Sequence, residues 1–363
     1  MWIALLGRRD APTDGVEDYC TFLGEALGRR GVTLKRAHVE WHDRGWLRAL
    51  WKLLRTSADW RGNWVALQYT ALGWSQRGFP FGAVAALEIL CRRGARCAVV
   101  FHEPFGLGGP RWIDRIREAC QNWVVRTLYR RSAKSIFTVS LETIAWLPKG
   151  GAKADFIPIG ANVPGQAGAW EISHRVNGTQ KQVAVFCLSD PPNRHREVDE
   201  ISQALSAAAR TSKVRVVFLG KGTVEAKDEI ERAFLRVPVE VSNLGLRSAD
   251  EVSQTLAESD AMLCVRGPLY ARRGSAIAGI ACGLPIVAYG DGANIFPLSE
   301  AGVRLAPYPN REALGNALAQ ILNDSELRER LRARSRRAHE KYFSWDAIAE
   351  RFIQALHASR ETE

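Results

Sequence analysis

The stretch Ala261–Tyr289, AMLCVRGPLYARRGSAIAGIACGLPIVAY, places a run of small, helix-forming residues between two short apolar runs. The apolar runs Ala261–Val265 and Leu284–Tyr289 have the length and the β-branched content of buried strands. Gly283 and Pro285 mark the corner at which the helix gives way to the second strand. A strand, a glycine-containing loop, a helix and a further strand form the repeating unit of a parallel α/β sheet. The stretch therefore predicts a doubly wound α/β fold.

The same alternation of apolar and amphipathic runs continues on both sides of this stretch. The predicted strands are Trp2–Leu6, Val32–Val39, Trp64–Tyr69, Cys97–His102, Ser135–Ser140 and Asp155–Ile159 in the first half, and Gln182–Ser189, Val214–Leu219, Val239–Leu244, Ala261–Val265 and Leu284–Tyr289 in the second. The main predicted helices are Val16–Arg29, Trp46–Arg55, Phe81–Arg92, Trp112–Arg131, Arg311–Leu322, Ser325–Lys341 and Trp345–Ser359. The polar segment Pro164–Lys181 breaks the pattern and is typical of a linker. We expect two Rossmann-like domains facing a cleft, in residues 1–165 and 166–343, followed by a C-terminal helix in residues 344–363.

Composition excludes several other classes of protein. The chain has 363 residues, of which 46% are hydrophobic and 25% charged, so disorder, collagen and a small disulfide scaffold are excluded. Its seven cysteines include no C-x-x-C pair, which favours reduced thiols in a cytosolic protein. The first apolar run, Trp2–Leu6, is shorter than a signal sequence, and no run approaches the roughly 20 apolar residues of a membrane span. The sequence predicts a cytoplasmic protein, with peripheral attachment to the inner face of the membrane as a further possibility.

Positive charge and tryptophan are concentrated in the first half of the chain. Residues 1–165 contain 24 Lys and Arg against 14 Asp and Glu, whereas the remaining residues contain 26 against 25. Ten of the twelve tryptophans also lie in the first half. Cations beside tryptophan suit an anionic membrane surface or a nucleic acid. No RNA-binding or helix-turn-helix signature is present, so nucleic acid is not an expected partner.

Two loops of the first half are candidate ligand sites. The segment Gly7–Glu17 contains Gly15 ahead of a helix, where backbone could approach a phosphate, although a plain turn explains it equally well. His102 and Glu103 follow a buried apolar strand and precede Pro104, which places them at the carboxyl edge of the sheet. An imidazole there can hydrogen-bond a sugar hydroxyl or move a proton, and the alternative is a structural histidine.

Three loops of the second half carry cations at strand ends. Arg194 and Arg196 follow the first strand of that half and could bind phosphate oxygens in bidentate fashion, the alternative being a solvated basic turn. Lys221 is a weaker candidate after the next strand.

The third loop, Val265–Ser275, contains Tyr270, Arg272 and Arg273 before a helix that begins at Gly274 and Ser275. Unpaired N–H groups at such a helix start can bind a diphosphate. Neither P-loop nor G-x-G-x-x-G spacing occurs there, which disfavours an ATPase or a dinucleotide-binding dehydrogenase.

At several of these positions the chain resembles group 1 (family 4) glycosyltransferases of the GT-B fold. The segments that carry the likeness are Asp14–Glu17, His102–Pro104, Ile157–Pro164, Asn243–Gly245 and Ala281–Val287. The segments Ile157–Pro164 and Ala281–Val287 are the most specific of them, and the likeness extends over most of the chain.

The resemblance implies a retaining, hexosyltransferase-like enzyme that moves a sugar from a nucleoside-diphosphate sugar to a hydroxyl acceptor, without a metal or other cofactor. It places the acceptor on the N-terminal domain, the donor nucleotide on the C-terminal domain and the last helix back against the first domain. The pathways that it suggests are bacterial polysaccharide, glycolipid or lipid-linked glycan synthesis.

Site roles follow from the same resemblance. The catalytic assignments that it implies are His102, at the transferring sugar, and Arg194, at the diphosphate. The phosphate-binding candidates are Gly15, Arg194, Arg196, Lys221, Arg273, Gly274 and Ser275, and the donor-sugar or nucleoside candidates are Glu103, Tyr270 and Arg272.

One departure from the family pattern bears on activity. The family usually has two glutamates eight positions apart before the A-C-G-x-P corner, and this chain has Tyr270 and Ala278 there. Alanine cannot accept a hydrogen bond from ribose. An inactive GT-B scaffold, an inverting transferase and a nucleotide-sugar epimerase therefore stay open as alternatives, although the Arg- and Gly-rich loop favours an active transferase.

Two helices of the first half have basic residues beside an apolar stripe. The first has an apolar face made of Trp46, Leu47, Leu50, Trp51 and Leu54, and the second has one made of Trp112, Ile113, Ile116, Trp123, Val124 and Leu128. Core packing explains either stripe. Because few acidic residues accompany these cations, we also hypothesise attachment to anionic lipid, with a lipid-linked or membrane-proximal acceptor.

Overall fold

The first unit of the fold is built on a six-stranded parallel sheet with the strand order β2-β1-β3-β4-β5-β6. In this computed structural model, which describes residues 1–8, 14–148, 153–163 and 180–358, the strands of that sheet are β1 (Trp2–Leu6), β2 (Leu34–His38), β3 (Trp64–Tyr69), β4 (Arg96–Phe101), β5 (Lys134–Phe137) and β6 (Ala154–Phe156). The helices are α1 (Gly15–Gly28), α2 (Trp41–Arg44), α3 (Trp46–Thr56), α4 (Phe81–Arg92) and α5 (Trp112–Arg131). β1, β3 and β4 are buried almost throughout, which is the pattern of a parallel sheet covered by helices on both faces.

The second unit has its own six-stranded parallel sheet, with the order β12-β11-β10-β7-β8-β9. Its strands are β7 (Gln180–Phe186), β8 (Lys213–Leu219), β9 (Val239–Gly245), β10 (Ala261–Pro268), β11 (Ile286–Tyr289) and β12 (Val303–Ala306). Its helices are α6 (Asn193–Ala208), α7 (Lys227–Phe234), α8 (Ala249–Ala257), α9 (Gly274–Ala281), α10 (Arg311–Asn323) and α11 (Ser325–Ala338). The predicted fold class, two Rossmann-like α/β domains, is confirmed.

The C-terminal helix α12 (Trp345–Ala358) belongs to the first unit. Its residues Ile348 and Phe352 are buried in one apolar cluster with Tyr19 and Leu23 of α1. By contacts, the first unit comprises residues up to Ile159 together with the segment that begins at Trp345, and the second comprises Gly160–Ser344.

Several predicted boundaries differ from those of the structure. Residues 164–179 of the expected linker lie outside the described residues, and its last two, Gln180 and Lys181, already belong to β7. β12 was not predicted, because four residues that include an exposed arginine carry almost no alternation signal. The helix predicted to end at Lys341 ends at Ala338 and continues as a single π-helical turn to Phe343.

His339, the first residue of that turn, predicts a pH dependence of stability. Burial lowers the pKa of this imidazole from 6.5 to about 4, because the cation is poorly solvated there. Below pH 6.5 this histidine is protonated in the unfolded chain but stays neutral in the folded chain. The free energy of unfolding therefore falls as the pH falls towards 4. We expect this group alone to remove about 2 kcal/mol between pH 7 and pH 5.

Urea denaturation at both pH values, with His339→Asn beside the parent chain, measures this contribution. The variant should lose less stability than the parent over the interval, and equal losses would contradict the assignment.

Candidate phosphate site of the second unit

The strand order of the second unit places a topological switch between β7 and β10. β8 and β9 lie on one side of β7, and β10, β11 and β12 continue on the other, so the chain reverses direction across the sheet at this pair. Ligands of doubly wound sheets bind in the crevice outside the carboxyl ends of the strands at such a point. The loops that follow β7 and β10 are therefore the first place to look for a site.

A narrow slot lies at that crevice. Its volume is about 10 Å³, room for roughly one water molecule. The side chains and backbone that line it include Phe186, Cys187, Cys264, Arg266, Arg273 and Ser275. Burial raises the pKa of the Cys264 thiol to about 12 and also raises that of Cys187, so neither sulfur supplies a negative charge near neutral pH.

Arg266 reaches the slot because β10 is irregular. The pairing of β10 with β11 shifts register between Cys264 and Pro268, and Gly267 within this bulge has a φ of +71°, a conformation that suits glycine. The bulge lengthens the strand beyond Val265, where the sequence pattern ends it. Arg266 Nε donates to Ser189 Oγ at 3.3 Å, which joins the β10 bulge to the loop after β7.

Arg273 lies against the same bulge. Its Nη2 donates to the carbonyl oxygen of Arg266 at 2.6 Å, and its guanidinium stacks on the Tyr270 ring at 4.3 Å from the centroid. Burial and the neighbouring Arg266 both lower the pKa of the Arg273 guanidinium. Over the described part of the chain, neither arginine has a carboxylate within 4.0 Å. The buried carboxylate of Glu197 instead accepts a hydrogen bond from the Ser189 backbone N–H.

Helix α9 begins directly after Arg273 and points its N-terminus at this positive region. No side chain caps it, so its first N–H groups, at Gly274 and Ser275, stay available for an anion. A Cβ added at Gly274 would meet nothing within 4 Å, so the space beside the helix start is open. Two arginines without acid partners and an uncapped helix start together make an anion-binding arrangement.

Arg194, which the sequence predicts at the diphosphate, is paired with a carboxylate of the second unit. Its Nε and Nη2 donate to Glu229 Oε1 at 3.1 and 2.9 Å, and both side chains are nearly buried, at 12% and 11% exposure. His195 Nδ1 lies 2.9 Å from the other oxygen of Glu229. Because α7 presents a carboxylate to this guanidinium, the Arg194 charge is compensated within the protein, and its assignment to the diphosphate stays a prediction.

The remaining cations of the second unit are less well placed than Arg273. Arg196 lies 3.7 Å from the buried Glu200 and over the Tyr308 ring, and Lys221 is exposed and 3.9 Å from Asp190. Tyr270 is half exposed and serves as the stacking surface of Arg273. Arg272 lies between that tyrosine and the helix start. Ala278 is buried within α9, away from solvent.

In the first unit, His102 lies at the carboxyl end of β4. It is 8% exposed, its Nε2 lies 2.9 Å from Gln68 Oε1, and its ring meets Tyr19 edge-on at 4.8 Å. Gln68, which fixes the orientation of the imidazole, was missed because it lies inside a strand that is otherwise apolar. Glu103 Oε2 accepts from the Ala71 N–H at 3.3 Å.

The start of α1 differs from that of α9. The Asp14 carboxylate accepts from the N–H groups of Val16 and Glu17, and so occupies the helix end at which a phosphate next to Gly15 would sit. A phosphate at Gly15 would have to compete with this carboxylate, whereas α9 has no such group.

An open depression of about 530 Å³ lies near the carboxyl ends of β1 and β2. It is lined by Gly7, Arg8, His38, Val39, Glu40, His42 and Asp43. His38 Nε2 lies 2.7 Å from Glu17 Oε2, and Arg36 donates to the other oxygen of that carboxylate at 3.0 Å. A Cβ at Gly7 would lie 2.1 Å from the Gly73 carbonyl oxygen, so only glycine fits there. His38 was not predicted as a site residue, because it ends a short strand whose residues alternate little.

The described residues contain neither a candidate metal site nor a candidate membrane span. Within the described residues, no three or more His, Cys, Asp or Glu side chains are grouped so that they could hold a metal ion. Among the helices that the structure describes, none has the length and apolar character needed to span a membrane.

Comparison with known proteins places the fold. No protein-family model matches the chain, and no curated protein sequence matches it. The structure of HepE from Anabaena in complex with UDP is similar, with a TM-score of 0.68 at 15% identity over 99% of this chain and 100% of that one. A sucrose-phosphate synthase from Thermosynechococcus elongatus has a TM-score of 0.68 at 16% identity over 100% and 99%. A glycosyltransferase from Rickettsia africae has a TM-score of 0.68 at 11% identity, also over 100% and 99%.

These structures match almost the whole chain at low identity, so the likeness concerns the fold. Taken with the two parallel sheets and the switch point of the second, it identifies the fold of this chain as GT-B, the two-domain Rossmann-like architecture of nucleotide-sugar glycosyltransferases.

Proposed function

We propose that this protein is a retaining glycosyltransferase that moves a sugar from a nucleoside-diphosphate sugar to a hydroxyl acceptor. The observation that carries the proposal is that Arg266 and Arg273, which have no carboxylate within 4.0 Å among the described residues, lie beside the uncapped start of α9 at the switch point. Support also comes from the similar HepE structures, which are complexes with UDP-glucose and with UDP.

The chemistry follows from where charge develops. Departure of the nucleoside diphosphate builds negative charge on the β-phosphate. Arg273 and the N–H groups of Gly274 and Ser275 would stabilise that charge more in the transition state than in the ground state. Arg266 would contact the same diphosphate, and Tyr270 and Arg272 the sugar or nucleoside. In this scheme the Arg273 side chain leaves the Arg266 carbonyl and turns to the phosphate, which widens the slot.

The acceptor half of the proposal concerns the first unit. The depression beside His38 has enough space for a sugar ring and presents both hydrogen-bond donors and acceptors. His102, oriented by Gln68, would hydrogen-bond the transferring sugar, with Glu103 next to it. The acceptor is a hydroxyl of a glycan or a lipid-linked glycan, in polysaccharide or glycolipid synthesis. The deprotonating base would be the departing phosphate itself, so no metal or protein carboxylate is required.

A panel of UDP, GDP, ADP and TDP, followed by the matching sugar nucleotides, tests the proposal. We expect one nucleotide to raise the melting temperature and its sugar conjugate to be hydrolysed slowly or transferred, because only a formed donor site is stabilised by ligand. His102→Ala should leave the thermal shift intact and slow turnover by about 10²-fold. An α-anomeric product from an α-linked donor supports the retaining mechanism, and a β-anomeric product overturns it.

The alternative function is that of an inactive scaffold with this fold. The narrowness of the slot and the presence of Tyr270 and Ala278 in place of the two usual glutamates favour it. The same panel separates the two functions, since a scaffold gives no shift with any nucleotide at millimolar concentration.

A further inference from the structure

An exposed apolar and basic surface covers the helices on one face of the first sheet. Helices α3, α4 and α5 all contribute to a single buried cluster on that face, whereas α1 and α12 belong to the cluster on the other. Trp46 of α3 packs over Gly82 of α4, and Phe81 of α4 contacts Trp123 of α5 at 5.9 Å between ring centroids. The outward sides of the three helices therefore form one continuous surface.

Large apolar side chains on this surface are unusually exposed. On α3, Leu47 is 88% and Trp51 58% exposed, and both lie on one stripe with Leu54. On α5, Trp112 is 73% and Trp123 53% exposed. Single exposed apolar residues are normal in soluble proteins, but a group of this size marks an interaction site. The apolar stripes of α3 and α5, for which the sequence allows either core packing or lipid contact, are thus partly exposed to solvent.

Arginines without acid partners surround these side chains. Arg115, Arg126 and Arg130 lie on the exposed side of α5, and no carboxylate of the described residues lies within 4.0 Å of any of them. The guanidinium of Arg55 stacks on Trp51 at 4.6 Å from the ring centroid. Of the two acidic residues on α5, Asp114 is held by Arg117 at 2.7 Å, and Glu118 lies against Gly106 and Gly108.

We infer that this α3–α4–α5 surface binds the surface of an anionic lipid bilayer. Exposed tryptophans settle at the level of the lipid headgroups, aliphatic side chains enter the acyl boundary, and arginines contact lipid phosphates. The surface offers all three groups side by side, and the positive charge complements the negative charge of the lipid. Binding of this kind brings a lipid-linked acceptor to the protein, but it does not depend on the transferase activity proposed above.

Two other occupants fit the surface less well. In a symmetric dimer that used this surface on both subunits, the arginines of one subunit would lie near those of the other. The repulsion between these like charges is unfavourable. A nucleic acid would suit the arginines and tryptophans but not the exposed aliphatic side chains Leu47, Leu54 and Ile116.

Flotation of the full chain with vesicles tests the inference. We expect the protein to float with phosphatidylcholine vesicles that contain phosphatidylglycerol, to float poorly with pure phosphatidylcholine, and to dissociate at high salt as the charges are screened. The variant Trp112→Ser with Trp123→Ser, and separately Arg115→Glu with Arg130→Glu, should each lower the partition coefficient by about tenfold or more.

Matched controls lie on the second unit. Leu235→Ser with Leu246→Ser removes equally exposed apolar side chains, and Arg236→Glu reverses one exposed charge, so both should bind vesicles like the parent. Thermal unfolding checks that every variant is folded. Failure of the folded parent to float with anionic vesicles overturns the inference, as does undiminished flotation of both surface variants.

The other outcomes are equally decisive. Concentration-dependent dimerisation that the tryptophan variant abolishes, or binding of nucleic acid in place of vesicles, would assign the surface to those occupants and overturn the lipid assignment. Because nucleotide binding is measured separately on the same variants, loss of flotation with normal nucleotide binding leaves the proposed function unaffected.

Discussion

Replacing Arg273 with alanine should weaken binding of the active nucleotide and lower kcat/KM by about 10²- to 10³-fold. The physical reason is that Arg273, which has no carboxylate partner in the part of the chain that the structure describes, lies at the start of an uncapped helix. There its positive charge can compensate the negative charge of the leaving diphosphate. The pKa of its guanidinium is lowered mainly by burial, because the buried cation is poorly solvated. A bound anion would therefore stabilise the charged form of this side chain. Isothermal titration with nucleotide and steady-state kinetics with its sugar conjugate measure the two effects.

Controls for this prediction come from the same unit. Arg236→Ala removes an exposed arginine from the second unit and should leave both quantities unchanged. Arg273→Lys keeps the charge but loses the bidentate geometry, so we expect a smaller loss than with alanine. Arg266→Ala should also weaken binding, because it removes the second cation and its hydrogen bond to Ser189. Normal kinetics in Arg273→Ala would show that the slot is not the donor site.

Arg194→Ala should lower the free energy of unfolding of the second unit by about 3 kcal/mol, with much less effect on nucleotide affinity. The substitution removes the guanidinium partner of Glu229 and leaves a nearly buried carboxylate next to His195. Burying an unpaired charge is more costly than losing the ion pair itself. Urea denaturation measures the loss, and nucleotide titration of the folded variant measures the affinity.

A double variant separates the structural role of Arg194 from a role at phosphate. Arg194→Met combined with Glu229→Gln removes both charges and should recover most of the stability that Arg194→Ala loses. If Arg194 instead contacts the diphosphate, both the single and the double variant will lose nucleotide binding by more than tenfold at unchanged stability. That result would support the prediction that Arg194 contacts the diphosphate.

The order of strands and helices could be predicted from the sequence because it depends on local pattern. Trp2–Leu6, Trp64–Tyr69, Phe81–Arg92 and Trp112–Arg131 have the predicted bounds in the structure. Buried parallel strands are nearly continuous apolar runs, and amphipathic helices repeat their apolar residues every three to four positions. β12 lacks such a signal and was missed.

The site shows where local pattern stops being informative. The anion site at Arg273–Ser275 could be predicted because the arginine, the glycine and the start of the helix are consecutive in the sequence. Arg194 also lies in a basic loop after a strand, but its charge is paired with Glu229, which is 35 positions away in the chain. Gln68 and His38 could be recognised as site residues only from the pairing of the strands. Neither has a sequence neighbour that indicates a functional role.

The sequence by itself determined the α/β class, the number of domains and the loop from which an anion site could be made, because periodicity, glycine corners and loop charge are properties of neighbouring residues. Only the tertiary structure decided which cations are neutralised by a carboxylate and which can still bind an anion. Arg194 meets a carboxylate from another helix, whereas Arg266 and Arg273 meet a bulge, a hydroxyl and a carbonyl. Electrostatic compensation depends on distance in space, and distance in space is set by packing that no single segment encodes.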